Sequence, residues 1–298
     1  MNDVPVPCDD FEPSLLSGAD LHAWSGLRLG VYRAVSHEVR QHVTTEHAIV
    51  AAMLRGRSRT RMRSRGESVD LCPGPDHVGL FGPQLDLDYS CWDVTPGTER
   101  VMVEVDGGML RELFDLPVLL PQPRRLRQAL TLRDPELARL LHAMASEARH
   151  GSPHGRLFAS SLSLGLAAYL WTHHAEGGSA PGRERGGLTP AQRERVVALM
   201  QQRLGEDLDL GDLAAAAGLS RFHFLRLFKR SFGQTPYRHL LEQRLAAART
   251  MLCETPLPVA EVAAACGFSS QSHLSTALRR HCGVSPAALR RQEGRSGA

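Results

Sequence analysis

The chain has 298 residues, enough for about two domains. Its 42% hydrophobic and 22% charged residues exclude wholesale disorder, and no run approaches the ~18 consecutive apolar residues of a membrane span. Net charge is +3, but it is unevenly placed: residues 1–188 carry a net −3 and residues 189–298 a net +6, which points to an anionic partner for the last third.

The N-terminus, MNDVPVPCDDFEPS, is acidic and lacks a basic-then-apolar signal pattern, so the expectation is a cytoplasmic protein with no membrane partner. Six cysteines (Cys8, Cys72, Cys91, Cys253, Cys266 and Cys282) form no C-x-x-C pair and are read as reduced thiols. A zinc site from Cys266, Cys282 and His281 lacks the usual knuckle spacing.

From about Leu21 to Glu104 the chain shows short apolar or alternating runs broken by Gly and Pro. Leu27–Val35, Ala48–Leu54, Val78–Phe81, Leu85–Trp92 and Arg100–Val105 are read as strands of a sandwich or barrel. Between them Arg55, Arg57, Arg59, Arg61, Arg63 and Arg65 alternate with Thr60, Met62 and Ser64. On a strand this places all six arginines on one face, either a solvated outer face or a site for an anion. His37, Glu38, His42, Glu46 and His47 cluster loosely, with His77 further on, without the spacing of a compact metal box. Neither a P-loop, a dinucleotide fingerprint nor a nucleophile motif is present. No cofactor, metal ligand or catalytic residue is therefore expected.

The period turns helical at Met109–Phe114, Pro135–His150 and Pro153–His174. In the last segment Leu157, Leu162, Leu166 and Leu170 form a stripe, either a subunit contact or a cover for the end of the barrel. Glu176–Gly187, EGGSAPGRERGG, has five glycines and reads as a flexible linker. Thr189-Pro190-Ala191-Gln192 then opens a helix with a capping box, Val196, Val197, Met200 and Leu204 on one face and Gly205 as its stop.

The last third contains an internal repeat. LAAAAGLSRFHFLRLFKRSFGQTP from Leu213 aligns with VAAACGFSSQSHLSTALRRHCGVSP from Val262, one inserted serine apart. Each copy has a short alanine-rich helix (Asp212–Ala217, Glu261–Cys266), then a turn glycine (Gly218, Gly267) plugged by Leu219 or Phe268. Ser220 or Ser270 N-caps a second helix that buries Phe224, Leu227 and Phe228, or Leu274 and Leu278. That helix ends in Lys229-Arg230 or Arg279-Arg280, suited both to a helix C-terminus and to phosphates. Thr235-Pro236 starts a linking helix that ends near Glu254, with Tyr237, Leu241, Leu245 and Leu252 placed to face both copies. Such a strut would fix two recognition helices ~34 Å apart, for successive major grooves of B-DNA.

Together, Leu210-x-Asp212-Leu213-Ala214, Gly218-Leu219-Ser220, Leu227-Phe228-Lys229 and Gly233-x-Thr235-Pro236 resemble the DNA-binding domain of AraC/XylS-type bacterial transcription regulators. Val262-Ala263, Gly267-Phe268-x-Ser270 and Gly283-x-Ser285-Pro286 repeat the pattern. The resemblance implies recognition of a bipartite site by two helix-turn-helix units, and an N-terminal cupin-like domain that binds an effector or dimerises. Two positions depart from it. Thr276 stands where the family carries an arginine, and Pro258 where it commonly has a capping serine.

The expected architecture is α+β. It comprises a cupin-like β-barrel or sandwich with flanking helices (1–175), a linker (176–188) and an all-α domain of two helix-turn-helix units (189–298). The expected DNA contacts are Ser220, Arg221, Phe222, Leu225, Arg226, Lys229 and Arg230 in the first copy. In the second they are Ser270, Gln271, Ser272, Ser275, Thr276 and Arg279. Arg226 suits guanine, Phe222 a thymine methyl and Gln271 adenine. The leading reading is a sequence-specific regulator, an activator, whose partners are promoter DNA, a small-molecule effector, a second copy and RNA polymerase. A cupin-type enzyme with a helical appendage and a constitutive DNA binder without effector stand as alternatives.

Overall fold

The computed structural model describes residues 24, 26–33, 37–44, 47–64, 67–82, 86–105, 126–174 and 186–293. Two compact units divide them. The first holds 26–149 and 162–174, the second 24, 150–161 and 186–293. The segments Met109–Phe114 and 176–185, and the residues Cys8, Glu46 and Arg65, lie outside the described residues.

The first unit pairs nine strands into two antiparallel sheets: β1 (Leu29–Arg33), β2 (His37–Thr44), β3 (Ala48–Arg55), β4 (Ser58–Ser64), β5 (Glu67–Leu71), β6 (His77–Phe81), β7 (Asp86–Val94), β8 (Glu99–Val105) and β9 (Ala129–Arg133). One sheet has the order β1-β8-β3-β6-β9 and the other β2-β7-β4-β5. Among the described residues no strand pair joins the two sheets, so they form no closed barrel. Helix α1 (Pro135–Arg149) packs on the five-stranded sheet against β1, β3, β6 and β8. Period-two alternation explains that layer: Val50 and Ala52, Val78 and Leu80, Val101 and Val103 are buried beneath the helix face of Leu137, Leu141 and Met144.

The arginine alternation on β4 is resolved for the described positions. Arg59, Arg61 and Arg63 face outward, opposite buried Thr60 and Met62. Each has a carboxylate on a neighbouring strand: Arg59–Asp70 at 2.6 Å, Arg61–Asp93 at 3.2 Å and Arg63–Asp88 at 4.0 Å. This ladder of exposed cross-strand pairs contributes little stability but discourages pairing with foreign strands. Arg55 belongs elsewhere, with Arg33 and Arg149 around the buried carboxylate of Glu99. Burial raises Glu99, yet the hydrogen bond and charge of Arg149, aided by Arg55 and Arg33, outweigh it and hold the carboxyl below its ordinary value.

Helix α2 (Gly155–His173) buries Leu157, Leu164, Leu166 and Leu170, whereas Leu162 is only half-buried. In the first unit its Tyr169 donates to Asp134, which also N-caps α1 through Leu137 N and pairs with His174 at 2.8 Å. Burial and the Asp134 charge push the Tyr169 hydroxyl up to about 12.

The second unit continues with α3 (Pro190–Gln202), α4 (Leu210–Ala217), α5 (Arg221–Phe232), α6 (Pro236–Glu254), α7 (Val259–Ala265), α8 (Gln271–Cys282) and α9 (Pro286–Glu293). Thr189 and Gln192 form the expected capping box, with Pro190 in the first turn. Helix α3 stops earlier than expected, at Gln202, because Arg203 turns out of helical geometry to pair with Glu206 and Asp212. Helix α6 touches α5, α7, α8 and α9, so it is the strut between the two copies. Its Leu241, Leu245 and Leu252 pack into the second copy's core with Phe268, Leu274 and Leu278. No described helix is long and apolar enough to cross a membrane.

Candidate nucleic-acid interface

The two copies are built by the same local devices. In the first, Gly218 takes φ 66°, and its N–H closes α4 on the carbonyls of Ala214 and Ala215. A side chain is disfavoured in that left-handed conformation. Ser220 Oγ then accepts from His223 N at 3.3 Å and starts α5. In the second copy Gly267 has φ 75°, and Ser270 Oγ accepts from His273 N at 3.1 Å to start α8. Both second helices end at a left-handed glycine, Gly233 or Gly283. Phe224 and Phe228, like Leu274 and Leu278, are fully buried, which orients the opposite face of each helix outward.

On α5, Phe222 and Arg226 lie one turn apart, with the Arg226 guanidinium carbon 5.9 Å from the Phe222 ring. Arg221, Phe222, Leu225 and Arg226 are half-buried; Lys229 and Arg230 are exposed. Arg221 turns back toward the Asp209 carboxylate at 3.7 Å, so this cation is engaged within the domain. On α8, Gln271, Ser272, Thr276 and Arg279 are exposed and Ser275 is half-buried. Gln271 with Ser275 and Ser272 with Thr276 are one-turn pairs on the outward face. Ser270 is occupied as a cap. His273 packs edge-on against Phe268 and hydrogen-bonds Ser269 Oγ at 3.1 Å.

Two residues that position this surface were missed in the sequence reading. Asp209 caps α4 in a capping box with Asp212, and the D-x-x-D spacing was an available signal. Arg244, on α6, donates to the carbonyls of Leu204 (2.9 Å) and Glu206 (2.6 Å), tying the turn before α4 to the strut. Burial lowers Arg244 from its ordinary value. A Cβ on Gly267 would come within 2.7 Å of the Arg244 guanidinium, so that turn also needs glycine for space. No periodicity marks Arg244, whose partners lie some forty positions away. Pro258 precedes α7 without a side-chain cap, as its missing hydroxyl requires.

His37, Glu38 and His42 lie on β2, His47 sits 3.4 Å from Glu104, and His77 Nδ1 accepts from Gly74 N. Among the described residues no group of three or more His, Cys, Asp or Glu side chains could hold a metal ion.

Two helix pairs, each with a serine-capped second helix that ends in exposed basic side chains, repeat about one strut and define a bipartite helix-turn-helix domain of the DNA-binding class. The comparisons agree. A family described as a helix-turn-helix domain matches residues 213–292. The transcriptional regulator GbdR of Pseudomonas aeruginosa is 32% identical over 136 residues, 46% of this chain and 37% of that protein. The transcriptional activator RhaS of Pectobacterium atrosepticum is 30% identical over 159 residues, 53% of this chain and 54% of that protein. The chain thus spans about half or less of these curated relatives. Among solved structures, an AraC-type DNA-binding protein from Chromobacterium violaceum is 36% identical over 36% of this chain and 95% of that one, with a TM-score of 0.34. The DNA-binding domain of AdpA, in complex with a target DNA, is 37% identical over 37% of this chain and 97% of that one, also at 0.34. Residues 213–292 thus match a helix-turn-helix domain, and this part of the chain is similar to the corresponding part of those regulators.

Proposed function

We propose that the protein is a cytoplasmic, sequence-specific transcription regulator that binds promoter DNA through both helix-turn-helix units. The observation that carries this reading is the pair of serine-capped recognition helices, each buried on one face and exposed on the other, in a segment of net charge +6. In the first helix Arg226 reads guanine O6 and N7, Phe222 and Leu225 meet a thymine methyl or sugar, and Lys229 and Arg230 hold phosphates. In the second, Gln271 reads adenine, Ser272, Ser275 and Thr276 make shorter contacts, and Arg279 holds a phosphate. The Ser220 and Ser270 caps set where each helix begins. Arg221 makes its phosphate contact only by leaving Asp209.

Activation, with RNA polymerase as partner, is supported by relatives named as activators, RhaS and the NphR of Rhodococcus. The proposed layout is a cupin-like domain at 1–175 that senses a small molecule or dimerises, a linker at 176–188 and the DNA-binding domain at 189–298. The reading assigns the chain no catalysis.

The test is binding-site selection from random duplex DNA by the full chain, repeated with Arg226→Ala. Enrichment of two boxes about one helical turn apart is the expected result, with preference relaxed within one box in the variant. Weak, salt-sensitive binding without enrichment would overturn specific recognition.

A further inference from the structure

Helix α2 begins in the second unit, where its first turns pack beside the start of the first helix-turn-helix. Arg156 N donates to Asp207 Oδ1 at 2.9 Å, and the Phe158 ring lies 4.6 Å from that of Tyr237 on α6. These contacts set Arg156 and Ser160 against Asp209, the residue that caps α4.

Asp209 is buried, and its carboxylate oxygens are shared out. Oδ1 accepts from Gly211 N at 2.6 Å and faces Arg221 Nη2 at 3.7 Å. Oδ2 accepts from Ser160 Oγ at 3.2 Å and faces Arg156 Nη2 at 3.7 Å. One buried carboxylate thus stands between Arg156 and Arg221, and of these Arg221 is the one on a recognition helix. Gly211 belongs to the same arrangement. A Cβ there would stand 2.8 Å from Arg221 Nη2 and 2.9 Å from Asp209 Oδ1, so a side chain would part the pair. Alanine would suit the helix better, yet the position leaves the guanidinium its room.

We propose, resting on the DNA-binding reading above, that Asp209 is a positioning residue that holds Arg221 back from the phosphate backbone, and that Arg156 sets how firmly. A buried carboxylate left without a cation is costly. When Arg221 moves to a phosphate, Asp209 keeps its bonds from Gly211 N and Ser160 Oγ, and Arg156 stays as the countercharge. Arg221 exchanges one anion for another, so the two states lie close in free energy. At 3.7 Å, with the Arg221 side chain 38% exposed, the hold is weak enough to be broken by DNA. Small changes around Asp209 therefore appear in DNA affinity, and they appear only through Arg221.

Titration of the full-length protein with one mixed-sequence duplex tests this, because a phosphate contact carries no sequence information. Asp209→Asn keeps a capping side chain but removes the charge, and should tighten binding about threefold. Gly211→Ala changes no charge and should tighten it likewise. Arg156→Gln strands the carboxylate once Arg221 leaves, and should weaken binding about threefold. Arg221→Gln should weaken binding and reduce the salt slope by about 0.9. In the Arg221→Gln background the other three substitutions should change nothing. That background separates a hold on Arg221 from a general change of charge or a weakened cap, neither of which needs Arg221. Thermal melts establish that each variant folds; if Asp209→Asn or Gly211→Ala does not, the other decides. The proposal is overturned if the folded Asp209 and Gly211 variants bind as wild type does, if Arg156→Gln has no effect, or if the shifts persist without Arg221. Any of these outcomes, with the duplex still bound, leaves the DNA-binding reading standing. Failure of wild type and every variant to bind the duplex sinks both.

Discussion

The two helix-turn-helix copies share a scaffold and differ in what they display. Caps, closing glycines and the buried positions of α5 and α8 coincide fifty residues apart. The outward faces do not: α5 carries Phe222 and Arg226, whereas α8 carries Gln271, Ser272 and Thr276. The support differs too. Helix α4 starts at the Asp209–Asp212 box, α7 at an uncapped Pro258. Behind α5 sits His239, and its counterpart behind α8 is the buried Leu289. Positions that build the unit are therefore repeated, and positions free of that duty have diverged.

The largest effects should come from the shared scaffold. Phe228→Ala removes a fully buried ring and should cost about 3–5 kcal/mol, while Leu278→Ala at the matching place should cost about 2–5. Denaturant melts measure both. A much smaller loss at Leu278 would show the second copy to be loosely packed and would break the symmetry of the scaffolds.

The outward faces should separate the copies in DNA binding. Arg226→Ala is expected to cost about 1–3 kcal/mol at one box, and Thr276→Ala about 1 kcal/mol or less at the other. Thr276→Arg should sharpen the second box, read by competition between matched and mismatched duplexes. If Arg226→Ala weakens all sequences alike, Arg226 holds phosphate and reads no base.

The caps should again behave alike. Ser220→Ala and Ser270→Ala should each lower stability by about 1 kcal/mol, because each leaves a first-turn N–H without its acceptor. Unequal losses in thermal melts would mark the copy whose helix start is better held by its surroundings.

The last difference vanishes at neutral pH. Burial against Phe228 and Phe232 lowers the His239 ring from its ordinary 6.5, with Glu242 opposing. The unfolded chain then binds the proton more readily than the folded one. Stability is full above the ordinary value and falls as pH drops from there through the lowered folded-state value. His239→Leu, which copies Leu289, should flatten that acid limb in melts taken across the range. An unchanged limb would place the titration elsewhere.

Much of this was readable in the chain itself. The repeat, turn glycines, serine caps and the α6 boundaries all lie within a few residues of the bonds they make, so local spacing reports them. Strands β1, β3, β4, β6, β7 and β8 were also anticipated. The strands missed, β2, β5 and β9, each run along a sheet edge among the described residues. Strands β2 (HEVRQHVT) and β5 (ESVDL) are polar enough to blur the apolar alternation that marks the central strands.

By itself the sequence determined the two helix-turn-helix copies and the strut between them, because capping, helical periodicity and turn geometry act over a few residues. Tertiary structure alone decided which cations are engaged. Arg221 faces Asp209, Arg244 holds the carbonyls of Leu204 and Glu206, and Glu99 gathers Arg33, Arg55 and Arg149. It also decided that the strands form two separate sheets with a cavity lined from both. Such partners are brought together by chain crossings of many residues, and side-chain type alone does not say which charge will meet which.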